Sequence, residues 1–138
     1  MGCDIHTLIE ISHRRAPDVG GQDAADNWLL FAQPWLGRSY ACFAALAGVR
    51  ATSEGEAPLY PLRGLPLSLD ETSEDRYGSL RGPGLHPHGF LSPSEVDCAL
   101  RHAAIDPQSL LTEWQAVLGA MRILEQEFEV RLVFCFDN

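Results

Sequence analysis

The alternation of apolar and polar positions is sharpest at the start of the chain. Over Asp4–Ser12 (DIHTLIEIS), Ile5, Thr7, Ile9 and Ile11 alternate with Asp4, His6, Leu8 and Glu10, the period of two that a strand buried on one face requires. The isoleucine face is expected to meet the core, which puts Asp4 and His6 together on the opposite face. The polar stretch from His13 to Asp26 reads as a loop, and Trp28–Gln33 as a short second strand closed by Pro34. In Ser39–Ala47 (SYACFAALA) the period changes. Ser39 is placed to cap a helix and Gly48 to end it, and a helix apolar almost all round is expected to be buried.

Between Gly55 and Gly89 lie five prolines and six glycines in 35 residues, too many breakers for regular structure. A loop of this length inside a compact domain is usually functional or disordered, and its arginines, aromatics and two histidines favour function. Ser92-Pro93-Ser94-Glu95 is a capping box with proline at the first helical position, predicting a helix to about His102. Asp106-Pro107 starts another, in which Leu110, Trp114, Val117, Leu118, Met121 and Leu124 recur at helical spacing to about Glu127, a rod of roughly 30 Å. Phe128–Phe136 (FEVRLVFCF) is rich in the residues that strands favour. The order β, β, α, long loop, α, α, β predicts an α+β fold in a single domain over residues 1–138: a small, mostly antiparallel sheet, helices packed on one face, and one long irregular loop.

Composition narrows the function classes. Of the 138 residues, 46% are apolar and 21% charged, which excludes wholesale disorder. No apolar run approaches the roughly 18 residues of a membrane span, so no membrane partner is expected. A net charge of −9 opposes binding to long nucleic acid, which demands many cationic contacts. It leaves room for a small anionic ligand in a local basic pocket. All ten basic residues are arginine, a planar fork suited to phosphate or carboxylate. Cys3, Cys42, Cys98 and Cys135 are scattered, without a Cys-x-x-Cys pair, each within an apolar run. They read as buried, reduced thiols of a cytoplasmic protein.

Two clusters could carry chemistry. Asp4 and His6 share one strand face, and His86-Pro87-His88 puts two imidazoles just ahead of a helix start. If the loop folds over the first strand, three imidazoles and a carboxylate converge. Two histidines on opposite sides of a phosphodiester can act as base and acid, because imidazole titrates near neutral pH; Asp4 would orient His6. The same groups, His6, His86, His88 and Asp4, could instead hold a divalent metal. Arg63 and Arg50 are candidates to hold phosphate, with Arg38 and Tyr77 as further substrate-binding positions; Arg76 and Arg81 lie in the same loop. The plainer alternatives are that His6 satisfies a sheet-end carbonyl, that His86 and His88 are solvated, and that Arg63 ties loop carbonyls together. Trp28, Trp35 and Trp114 read as core or rim aromatics, His13 and His102 as surface residues. Asp137 comes near Asp4 or far from it, depending on the direction of the last strand.

MGCDIHTLIEI, YACFAALAGVR, Arg63-Gly64-Leu65-Pro66, GLHPHGFLSPSEV and VRLVFCFDN together resemble a family of small phage-encoded proteins. That family has a Cys-Asp-Ile-His opening, an Arg-Gly-Leu-Pro segment, a His-Ser-x-Ser-Trp-Leu tract and a Phe-Asp-Asn ending. The likeness spans the chain apart from residues 13–27 and 67–84, and singles out Asp4, His6, Arg50, Arg63, His86 and Asp137. The chain departs from the pattern at Pro87 and Gly89, where the family has serine, and at Phe90, where it has tryptophan. The resemblance implies action in a host cytoplasm against defences that signal through small nucleotides. The expected function is a phosphodiesterase cleaving cyclic dinucleotides or related messengers. The alternatives are a nucleotide-binding sponge and a protein–protein inhibitor of a host defence protein. A homo-oligomer completing the pocket is compatible with each.

Overall fold

The computed structural model describes residues 2–13, 28–52, 57–66 and 77–137. Strand β1 spans Asp4–His13, β2 Leu29–Ala32, helix α1 Tyr40–Ala47, strand β3 Leu85–Leu91, helix α2 Pro93–His102, helix α3 Thr112–Leu124 and strand β4 Phe128–Asp137. Short 3-10 turns occupy Gly78–Leu80 and Pro107–Ser109. The strands form one sheet in the order β2-β1-β4-β3, each neighbouring pair antiparallel. This is the expected α+β architecture. Among the described residues, no helix is long and apolar enough to cross a membrane.

The two long strands pair over their whole length, from Asp4 with Asp137 to His13 with Phe128. Because directly paired residues project from the same face, Ile5, Ile9 and Ile11 stand with Phe136, Leu132 and Val130. The helices cover that face: Phe43 and Leu46 of α1, Val96 and Leu100 of α2, and Trp114, Leu118 and Met121 of α3 complete the main core. Ser39 caps α1 and accepts from the Cys42 N–H, and Gly48 ends it at φ 71°. Ser92 and Glu95 close a reciprocal capping box on α2, as the sequence pattern predicts.

The fourth strand was not legible. His86, Pro87, His88 and Gly89 belong to β3, an edge strand paired to β4, and not to a loop. Proline is tolerated there because an edge strand need not donate on both sides. Glycine is required because a Cβ on Gly89 would lie 2.8 Å from the Phe134 ring. The opposite edge is also blunted. Ile9 pairs with Ala32 but Glu10 with Leu30, leaving Phe31 as a bulge, a device that discourages edge-to-edge pairing. The helix expected from Asp106 begins as the Pro107–Ser109 turn, capped by the Asp106 carboxylate, and continues as α3 only from Thr112.

One further expectation is corrected. Cys3, Cys42 and Cys135 are buried free thiols, but Cys98 is exposed on α2: it falls on the helix face turned away from Val96, Ala99 and Leu100. The second face of the sheet is also covered. Leu8, Val133 and Cys135 are buried under Tyr77 and Leu80, with Leu65, Leu85 and Phe90 packed around them. The returning segment 77–84 therefore makes a second, smaller core.

Candidate functional site

The second face carries the polar rows of the sheet. His6 pairs with Cys135 on β4, and Cys135 pairs with His88 on β3. On the other side His6 bridges Trp35, in the same register that pairs Ile9 with Ala32. Trp35, His6, Cys135 and His88 thus form one transverse row with their side chains on one face. Beyond it, Asp4 pairs with Asp137. The last strand therefore brings Asp137 to the Asp4 end, an alternative that the sequence left open.

At the open end, both Asp4 carboxylate oxygens accept from Arg38, whose Nε donates at 2.6 Å and Nη2 at 3.2 Å. The Arg38 hydrogen bond holds the Asp4 carboxyl below its usual range, the Arg38 and His6 charges adding to it against a desolvation that pushes the other way. Like charges directly opposed across a ladder destabilise it, so Arg38 also offsets the proximity of Asp137. Asp4 is consequently engaged with Arg38 and is not the dedicated orienting partner of His6 expected from sequence, although His6 stays close enough for its charge to act on Asp4.

His6 is half-buried, and its Nε2 is buried without a hydrogen-bond partner. His88 is half-buried, and its Nε2 contacts the Leu80 carbonyl at 2.5 Å. A carbonyl can only accept, so that nitrogen carries hydrogen and Nδ1 is left to exchange protons. His86 is exposed. Cys135 lies between His6 and His88, fully buried, and burial followed by the Asp137 charge pushes its thiol up to about 11. A thiol held there is inert at neutral pH.

Three imidazoles and a carboxylate do not converge. His6 and His88 are two strands apart, roughly 10 Å between backbones. Among the described residues, no group of three or more His, Cys, Asp or Glu side chains is arranged to hold a metal ion, so His6, His86, His88 and Asp4 are not a ligand set. A cavity of about 300 Å³ lies elsewhere, between α1 and the end of α2 around Ala44, His102 and Ile105. His6 and His88 are half-buried on the second face, with the fully buried Cys135 between them, while His86 is exposed.

Most of the expected cationic residues are committed. Arg63 makes a two-pronged pair with Glu95, Nη1 to Oε1 at 2.8 Å and Nη2 to Oε2, also donates to the Phe90 carbonyl at 3.3 Å, and lies against the Tyr60 and Phe90 rings. It ties the segment before residue 67 to the start of α2. Arg50 lies 5.7 Å over the Tyr40 ring. Tyr77 is buried, its hydroxyl at 2.9 Å from both oxygens of Glu10, and burial first, then the Glu10 charge, raises its pKa. These placements give Arg63 and Tyr77 structural contacts. Arg76 lies outside the described residues. Arg81 is exposed, as are His13 and His102, the latter two as expected.

Sequence reasoning missed the cluster around Tyr77. Glu10 is fully buried and accepts from Arg131 Nε at 2.7 Å. Arg131 also donates to the Tyr77 hydroxyl at 3.3 Å, with its guanidinium 4.0 Å from the centre of the Trp28 ring. A lone acid in LIEIS and a lone base in VRLVF, each inside a strand, were the available signal. Of the tryptophans, Trp114 is core and Trp28 half-buried, but Trp35 is 75% exposed. No protein-family model, curated protein or solved structure matches the chain.

Proposed function

We propose that the chain hydrolyses a phosphodiester bond in a small nucleotide, a cyclic dinucleotide or a related messenger, on the sheet face that carries His6 and His88, with Arg38 at its end. The observation carrying this reading is the unpartnered, buried Nε2 of His6. Leaving a buried polar atom unsatisfied costs about 1–3 kcal/mol, and such atoms call for an explanation. A substrate proton is one.

In the reaction, substrate binding uncovers His6 Nε2, water attacks phosphorus, and the proton of that water passes to His6 Nε2. As the bond to the leaving oxygen breaks, that oxygen takes the proton from His88 Nδ1, while His88 Nε2–H stays on the Leu80 carbonyl. Exchange with solvent restores both rings. His88 takes the acid role in preference to His86 because it shares the His6 row. Arg38 supplies the cation that Arg63 cannot: its ion pair with Asp4 is half-exposed on both sides, and such pairs are weakly held, so phosphate can replace the carboxylate. The sponge alternative has less support, because a binder relies on uncommitted cations and Arg63 is engaged by Glu95. A cytoplasmic, counter-defence setting belongs to this proposal through the family resemblance alone.

The test is turnover of a panel of cyclic mono- and dinucleotides followed by chromatography. Loss of acid–base catalysis is worth about 10²–10⁴-fold, so His6→Ala should fall by that factor while keeping the wild-type circular dichroism spectrum. Turnover by His6→Ala at the wild-type rate refutes the reading, as does absence of turnover by the wild type across the panel.

A further inference from the structure

Trp35 is the most exposed large apolar side chain among the described residues. Its position is fixed by backbone geometry: it bridges His6 across the ladder, so both side chains leave the sheet on one face. The neighbouring Thr7 hydroxyl donates to the Pro34 carbonyl at 2.9 Å and ties the two segments together one residue along from that bridge. Three residues on, Arg38 reaches back to Asp4 on the same strand as His6. A flat aromatic surface, an unpartnered imidazole nitrogen and a displaceable guanidinium therefore stand in sequence along one end of the sheet.

We propose that Trp35 is the specificity-determining residue of this site, stacking on the nucleobase of a ligand whose phosphate meets Arg38 and His6. The inference rests on the functional reading above but concerns recognition, not turnover. Stacking accepts any base through its π face, so the preferred class is a base-bearing phosphodiester, with base-free phosphate or sugar phosphate bound far more weakly. Burying an exposed indole on a ligand also returns the hydrophobic free energy that its exposure forgoes.

Tryptophan fluorescence reads this directly, because Trp114 is buried in the core and Trp28 is covered by Arg131. Cyclic di-AMP and 3′,5′-cyclic AMP should quench the wild-type protein, and ribose 5-phosphate and inorganic phosphate should not. Trp35→Leu should abolish the quench and weaken cyclic di-AMP binding measured by calorimetry by about 10–100-fold, whereas Trp35→Phe should restore most of the affinity. His6→Ala should lose turnover and weaken cyclic di-AMP binding less than Trp35→Leu does. Unchanged cyclic di-AMP affinity in Trp35→Leu overturns the proposal and leaves the His6 chemistry standing. Weakened binding in Trp35→Leu alongside normal turnover in His6→Ala does the reverse. A Trp35→Leu effect on sedimentation mass with none on nucleotide binding overturns it in favour of a protein contact, and so does absence of any quench of the wild type at millimolar nucleotide.

Discussion

The pair formed by Arg63 and Glu95 makes a pH-dependent contribution to stability whose size follows from its geometry. Glu95 Oε1 accepts from Arg63 at 2.8 Å and from the Ser92 N–H at 2.9 Å, and Oε2 accepts from the second Arg63 nitrogen. The Arg63 hydrogen bond, opposed by desolvation and helped by the Ser92 N–H and the Arg63 charge, lowers the carboxyl from 4.5 to about 2. A carboxyl that titrates lower in the folded than in the unfolded chain stabilises the fold above the unfolded value, and the gain is lost as pH falls through the folded one. That interval sets a ceiling of roughly 3 kcal/mol. The side chains are 33% and 22% exposed, and solvent screening reduces the figure to about 1–2 kcal/mol.

Glu95→Gln isolates the charge, since glutamine at this position still completes the capping box. Urea unfolding of the two proteins should differ by about 1–2 kcal/mol at pH 7. The difference should hold down to about pH 4.5 and close as pH approaches 2. Arg63→Gln should reproduce most of this behaviour. A difference that stays constant from pH 7 to pH 2 would show that lost packing, and not the ion pair, separates the proteins. No difference at pH 7 would remove the pair altogether, and would return Arg63 to the pool of cations available to a ligand.

Removing one partner of the buried Glu10–Arg131 pair, as in Arg131→Met, should cost about 3–5 kcal/mol by chemical denaturation, and Glu10→Met with Arg131→Met together should cost less than either alone; a double variant as unstable as the sum of the singles would contradict this. Helix α2 ends with Ala104 at φ 57°, its N–H on the Arg101 carbonyl and that of Ile105 on the Leu100 carbonyl, where glycine is the usual residue. Ala104→Gly should therefore raise stability by about 0.5–1 kcal/mol, while Gly48→Ala, at φ 71° beside Pro58, should lower it by about 1 kcal/mol; opposite signs in thermal melts would refute the assignment of strain. A thiol reagent at neutral pH should label Cys98 at once and Cys135 only on unfolding, read by mass spectrometry of the digested protein; rapid native labelling of Cys135 would show that the second core opens.

The parts of the fold legible in the sequence are those set by local rules. The alternation in β1, the Ser39 and Ser92 caps, and the periodicity of α3 each depend on residues within a few positions of one another. Strand β3 was hidden because its reasons are distant. Pro87 is tolerated because the strand is at an edge and its pairing with β4 is broken between Leu85 and His88, and Gly89 is demanded by the ring of Phe134 on the neighbouring strand. The same contact places Gly89 on the helix-covered face, away from His6. Of the expected site, the shared face of Asp4 and His6 was legible from period two, and the pairing of His88 with Cys135 was not. Arg63 and Tyr77 stood out as chemically able residues, but their partners, Glu95 and Glu10, lie 32 and 67 positions away.

The distribution of polar groups over the second face bears on which of them can act. At one end Glu10, Arg131 and Tyr77 are mutually satisfied and closed in by Trp28, Phe90 and the segment from Tyr77. In the middle Leu8, Val133 and Cys135 form a dry layer. At the other end stand Trp35, His6, Asp4 and Arg38, where one imidazole nitrogen is unsatisfied and the ion pair is open to water. A satisfied buried cluster rigidifies its surroundings and has no free valence for a substrate, so its role is to hold β1, β4 and the crossing segment together. That anchoring fixes the register from Glu10 to His6 along β1, and a one-residue slip would turn His6 into the helical core. The satisfied end thus holds the other end in register, and the proposed chemistry belongs at that other end, where the hydrogen-bond account does not close.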